Sequence, residues 1–152
     1  MAVGGLVAVL ARLGQVSGVP GRHERGRSAL GHPAGAAPLP RLPAARRLPS
    51  LALHPTCSSA RLGLDPAITR IAEAVAERVV IPDGWQCCAF AGDRGLLHPE
   101  LTASATASEA AVVTVGDFAA HASVNRTCEL GLTRATGKPY RHLLELLDEV
   151  TA

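Results

Sequence analysis

Cys57, Cys87, Cys88 and Cys128 are the residues of this 152-residue chain whose type and spacing best suit chemistry. Thiolates ligate soft and borderline metals, and four of them satisfy tetrahedral zinc or an iron–sulfur cluster. Thirty residues separate Cys57 from Cys87 and forty separate Cys88 from Cys128, so the sulfurs come from three segments that only a folded domain gathers. Zinc fingers instead bring their cysteines as short Cys-x-x-Cys knuckles. The adjacent pair in Trp85-Gln86-Cys87-Cys88-Ala89-Phe90 suits a multi-iron cluster or a metal, because neighbouring thiolates can ligate different edges of one centre. Two plainer readings stand beside this one. Free cysteine is often a small buried apolar side chain. Two disulfides would also use all four sulfurs, but no secretory signal is visible and adjacent cysteines bridge each other only with strain.

Acid–base chemistry has its own candidates. His54, His98 and His121 titrate near neutrality, with Asp93 or Glu100 as carboxylate partners. His54 is the better functional candidate because it precedes Cys57 on one loop. His98-Pro99-Glu100 reads more simply as a capping arrangement with a favourable acid in the first helical turn. Arg94 suits an acidic substrate or a partner, with a solvated loop position as the plainer reading. A cysteine nucleophile with a histidine base is a formal option, but the spacing singles out no one sulfur.

The elements that must position these groups begin at Leu48. Ser50-Leu51-Ala52-Leu53 reads as a buried strand ending at His54-Pro55, so Cys57 sits in the loop at its exit. Asp65-Pro66 supplies an N-cap and a proline for a helix whose apolar face is Ile68, Ile71, Ala72 and Val75, ending near Glu77. Val79-Val80-Ile81 follows as a second strand, broken by Pro82-Asp83-Gly84 just before the paired cysteines. Ala91 to Gly95 is a polar loop, and Pro99 opens an alanine-rich helix to about Val115, with Ala103, Ala107, Ala110 and Ala111 small enough for close packing. Asp117 to Val124 holds a short half-buried strand, and Asn125-Arg126-Thr127-Cys128 marks its exit toward another helix. Tyr140 to Val150 reads as a last helix, bounded by Gly137 and Pro139. Alternating strands and helices predict an α/β fold with a small, mostly parallel sheet and flanking helices. Ligands in such sheets gather beyond the strands' carboxyl ends, where all three cysteine-bearing segments are placed.

Residues 1–45 differ in kind. Through residue 50 the chain carries seven Arg against one acid, a net +6, with six prolines and eight glycines; the remainder has eight basic and twelve acidic residues, a net −4. Such a composition predicts a low-complexity, disordered segment ahead of a domain over residues 46–152. Arginine without lysine or aromatic interleaving lacks stacking partners, so no nucleic-acid partner is expected. Ala2 to Leu13 is apolar but interrupted by Arg12, and it falls short of the roughly 20 residues that span a bilayer. It also lacks the charged start of a signal peptide. The expectation is a brief helix there, no transmembrane segment, and a soluble protein in a reducing, cytoplasmic compartment.

Three stretches carry a resemblance: His54-Pro55-Thr56-Cys57-Ser58, the run from Phe90-Ala91-Gly92-Asp93-Arg94-Gly95 through His98-Pro99-Glu100, and Asn125-Arg126-Thr127-Cys128-Glu129-Leu130-Gly131. Together they resemble the cysteine-rich CCG domain found in heterodisulfide reductases and in the iron–sulfur subunits of glycolate oxidases. Within that family the likeness is to the C-terminal end of fused FAD-linked, iron–sulfur D-lactate dehydrogenases, and it covers about residues 39–151. The resemblance implies an electron-transfer module in which Cys57, Cys87, Cys88 and Cys128 ligate an iron–sulfur cluster of the 4Fe–4S class. FAD would lie only on a separate domain or on a flavin-containing dehydrogenase subunit, with peripheral association to the respiratory chain at the inner face of the membrane. Thr56, Ser58, Ser123 and Thr127 would be placed to donate hydrogen bonds to sulfur, besides their ordinary loop and capping roles.

This chain departs from the family pattern at three positions. Asn125 stands where the fullest motif has a fifth cysteine, Ala89 where the family has glycine after the pair, and Gln86 where near relatives tend to have glycine. A tetrathiolate zinc site therefore stays open beside the cluster, and so does a metal-stabilised or metal-free interaction domain. No ferredoxin-type Cys-x-x-Cys-x-x-Cys run and no glycine-rich phosphate loop after a strand is present, so the chain is expected to be the C-terminal piece of such an oxidoreductase, inactive alone.

Overall fold

The structure is a computed structural model and describes residues 46–152. The expected disordered segment and the brief helix over Ala2 to Leu13 lie outside the described residues. The fold is α/β, built on a four-stranded sheet in the order β2-β1-β3-β4 with every neighbouring pair parallel.

Strand β1 (Leu48–His54) lies in the middle, and its last five residues are all buried. Leu51, Ala52 and Leu53 make a continuous apolar run because a central parallel strand is covered on both faces. Thr56 then starts a short helix α1 (Cys57–Arg61) with reciprocal bonds: its Oγ1 accepts from Ser59 N at 3.0 Å, and Ser59 Oγ accepts from Thr56 N at 3.1 Å. Cys57 therefore opens a helix rather than lying in a loop.

Helix α2 (Asp65–Val75) buries Ala72 and Val75. Asp65 is its first residue and not its N-cap, and it instead accepts a 2.7 Å bond from Ser59 Oγ, tying α2 to α1. Strand β2 (Ala76–Val80) starts directly from α2, earlier than the apolar Val79-Val80-Ile81 run suggests. Its ladder to β1 begins at Leu48↔Ala76, and as an edge strand it leaves Glu77 and Arg78 exposed, which removes the hydrophobic signal.

Two helices follow, α3 (Arg94–Leu97) and α4 (Pro99–Val115). The buried face of α4 is Thr102, Thr106, Glu109 and Val113, whereas Ala103, Ala107 and Ala111 are exposed. The expected close packing through alanines is thus on the wrong face. His98 occupies the N-cap of α4 without bonding the helix backbone, and its Nδ1 pairs with exposed Glu100 Oε1 at 3.1 Å.

Strand β3 (Ala120–Ser123) pairs with β1 from Leu51↔Ala120 to His54↔Ser123 and is more deeply buried than a half-exposed strand. Helix α5 (Arg126–Thr136) ends at Gly137, whose φ of 69° is a left-handed cap. Tyr140, expected to begin the last helix, instead begins a three-residue edge strand β4 (Tyr140–His142) paired to β3, and α6 (Leu143–Thr151) starts only at Leu143. Three residues are too few to show an alternation, and His142 caps α6 by accepting from Leu144 N at 3.3 Å.

Helix α2 packs against α6, and α4 packs against α5. Right-handed crossovers put these pairs on opposite faces of the sheet. Leaving β1, the chain moves to β2 on one side and reaches β3 on the other, so the strand order reverses between β1 and β3. Connections diverge at such a point and leave a crevice at the carboxyl edge. No helix among the described residues is long and apolar enough to cross a membrane.

Candidate metal centre

All four cysteines follow strands at that edge. Cys57 is the first residue of α1 after β1, Cys87 and Cys88 lie in the irregular segment after β2, and Cys128 is in the first turn of α5 after β3. The structure brings them together as two pairs. Cys57 Sγ and Cys87 Sγ are 3.7 Å apart and exposed; Cys88 Sγ and Cys128 Sγ are 2.9 Å apart and buried. None is in a disulfide.

Phe90 holds the inner pair, forming one buried cluster with Cys88 and Cys128. The segment reaches this arrangement through an unusual backbone. Ala89 has φ 53° and Ala91 has φ 44°, flanked by Gly84 at 75° and Gly92 at 70°. Ala89 thus adopts the left-handed conformation that glycine takes without strain. The conformation costs a non-glycine residue about 1–2 kcal/mol, offset in part by the lower unfolded-state entropy of alanine. Ala89→Gly is therefore expected to stabilise the domain by about 0.5–1 kcal/mol, read as a rise in the urea midpoint at unchanged slope. Unchanged or lower stability would mean that Ala89 does not hold this conformation. Gln86 has no positive φ, and its side chain donates to Ala105 O at 3.0 Å, anchoring the segment to α4.

The thiols share protons unevenly. A hydrogen bond from Cys128 pulls the Cys88 thiol down to about 6 against the opposing effect of burial, with further help from the Phe90 backbone amide and His54. Cys128 moves strongly upward, first because it donates that bond to Cys88 and then through burial. The inner pair therefore releases one proton readily and holds the second. For Cys87, the Ala89 amide favours the thiolate, but desolvation together with Cys57 and Cys88 leaves it raised.

His54 closes the inner side of the site. Its ring is fully buried, and Nδ1 donates to Glu109 Oε2 at 2.7 Å, with Glu109 itself 1% exposed. Trp85 meets the ring edge-on at a centroid distance of 6.1 Å. Burial first, and Glu109 second, push the Tyr140 hydroxyl far upward. Glu109 is absent from the candidates that sequence reasoning supplies. The signal that could have found it is its isolation, because it is the only charged residue between Leu101 and Val115 and lies on one face with Thr102 and Thr106.

The other two candidate histidines are not part of this group. His98 is exposed beside Glu100, and His121 packs between Phe118 and Tyr140 in the core, where burial lowers its pKa. Asp93 and Arg94 are exposed at the start of α3. Two of the four expected sulfur-bonding hydroxyls donate elsewhere. Ser123 donates to His54 O at 3.2 Å and Thr127 to Asn125 Oδ1 at 2.7 Å, whereas Thr56 Oγ1 accepts from Ser59 N as the cap of α1. Asn125 caps α5 by accepting from Thr127 N at 3.0 Å.

Four thiols from three strand ends are donors of the kind that ligate zinc or an iron–sulfur cluster. Among the described residues no group of three or more His, Cys, Asp or Glu side chains is already spaced to hold a metal ion. Two sulfur pairs, and not a closed quartet, are what the protein presents. Comparison with family models, curated proteins and solved structures finds no match for this chain.

Proposed function

We propose that this domain is the iron–sulfur electron-transfer module of a FAD-linked D-lactate or 2-hydroxy-acid dehydrogenase, working with a flavin-containing domain or subunit. The observation that carries the reading is that Cys57, Cys87, Cys88 and Cys128 follow three strand ends on one edge of a parallel sheet and form two pairs, 3.7 and 2.9 Å apart. Cys88 and Cys128 would hold the inner side of the centre and Cys57 and Cys87 the outer side, the exposed pair having the rotamer freedom to close onto it. A bound cluster supplies one-electron acceptance and release. Phe90 would exclude water from the inner sulfurs, and burial of this kind tunes a cluster's potential. The substrate class, the flavin partner and a cytoplasmic position at the inner face of the membrane come from the resemblance.

One observation favours a zinc reading. Zinc–sulfur bonds of about 2.3 Å put tetrahedral thiolates about 3.8 Å apart, close to the 3.7 Å of Cys57 and Cys87. The two readings separate on metal and acid-labile sulfide content, with a visible spectrum, on protein made and kept without oxygen. Iron with sulfide and a broad thiolate-to-iron band, lost in Cys88→Ser and in Cys128→Ser, is the expected result. Zinc without sulfide would make the site structural, and absence of any metal would end both readings.

A further inference from the structure

We propose that Cys88 and Cys128 form a two-electron dithiol–disulfide couple in the metal-free protein, leaving Cys57 and Cys87 as free thiols. The argument rests on the difference between the two pairs. The Cys88 and Cys128 sulfurs are 2.9 Å apart, inside ordinary sulfur contact, and a disulfide at about 2.05 Å needs them to close by only about 0.9 Å. Both side chains are 4% exposed and are held by Phe90, so their approach is imposed by the packing of the post-β2 segment on the first turn of α5. Cys57 and Cys87 sit 3.7 Å apart at the surface, where no packing holds them in a bonding geometry. Bonding Cys87 to Cys88 would strain two successive residues.

A bond between Cys88 and Cys128 would also close a loop across forty residues, joining two strand ends and constraining the unfolded chain. With hydrogen peroxide as oxidant, one of the two sulfurs attacks the peroxide, forming a sulfur–oxygen bond as the oxygen–oxygen bond breaks and hydroxide leaves. The second sulfur then forms the sulfur–sulfur bond as that oxygen departs as water. Protonation of the hydroxide completes the balance: two thiols and one peroxide give one disulfide and two waters. The cysteines lose two electrons and the peroxide gains them. Peroxide is small enough for a narrow approach, which suits a buried pair better than a bulky disulfide oxidant.

This couple does not depend on the iron–sulfur reading, because the sample is the metal-free chain. The full-length protein is stripped of metal with a chelator under reducing conditions, freed of reductant without oxygen, and given one equivalent of hydrogen peroxide. Alkylation and non-reducing peptide mapping then read the outcome. Free thiols are expected to fall from four to two, with a cross-link between the peptides carrying Cys88 and Cys128. Cys87→Ser, at the surface, should keep the link; Cys88→Ser and Cys128→Ser should lose it; a thiol reductant should restore all four thiols. A link through Cys57 or Cys87, thiol loss without any link, or four thiols left unreacted would each overturn the proposal.

Discussion

Replacing Glu109 by alanine is expected to cost about 2–4 kcal/mol, because it leaves a fully buried hydrogen-bonding partner unsatisfied and a void where the side chain was. The carboxylate accepts a 2.7 Å bond from His54 Nδ1, and neither side chain has more than 1% exposure. Without it, the imidazole N–H at the end of β1 loses its acceptor in a fully buried position. A domain of this size is stable by only about 5–15 kcal/mol, so the loss is a large share of the whole. Glu109→Gln keeps an acceptor oxygen of the same shape and is expected to cost about 1–2 kcal/mol. Urea unfolding followed by far-ultraviolet circular dichroism measures both variants. A Glu109→Ala loss below about 1 kcal/mol would show that the pair does not hold the structure together.

Phe90→Ala is the second large effect, expected at about 3–5 kcal/mol. The ring is 1% exposed and fills a space made for it by two glycines. A Cβ built on Gly95 would lie 2.6 Å from Phe90 Cγ, and one built on Gly131 would lie 3.3 Å from its Cδ2. The ring also borders a half-open pocket of about 140 Å³ lined in part by Pro99 and Thr102. Truncation removes the ring that closes the inner end of this pocket between α4 and α5, so its packing against both glycines is lost. The same geometry supplies a control. Gly95→Ala should be strongly destabilising in the natural protein and far less so beside Phe90→Ala, because the added methyl then enters vacated space. Equal effects of Gly95→Ala in the two backgrounds would show that the ring and the glycine do not compete for that space. Because Phe90 packs on Cys88 and Cys128, the single variant should also raise the rate at which both thiols react with an alkylating reagent.

Periodicity and turn chemistry disclosed the elements whose signals are local. The apolar run of β1, the proline starts of α2 and α4, and the Asn125 exit from β3 were legible because strands, caps and proline geometry depend on a few neighbouring residues. Those local signals were enough to establish an α/β chain with a parallel sheet and to place all four cysteines beyond strand ends. Tertiary packing decided the rest. Strand β4 exists because β3 offers it a ladder, and β2 starts at Ala76 because β1 pairs with it there; neither event leaves a mark in three or five residues of sequence. Which face of α4 turns inward depended on Glu109 finding His54 fifty-five residues away, so a polar stripe was buried and the alanines were left outside. The division of the cysteines into an exposed pair and a buried one is of the same kind. Spacing along the chain counts residues, whereas sulfur–sulfur distance is set by how Phe90 and the first turn of α5 pack at the crevice between β1 and β3.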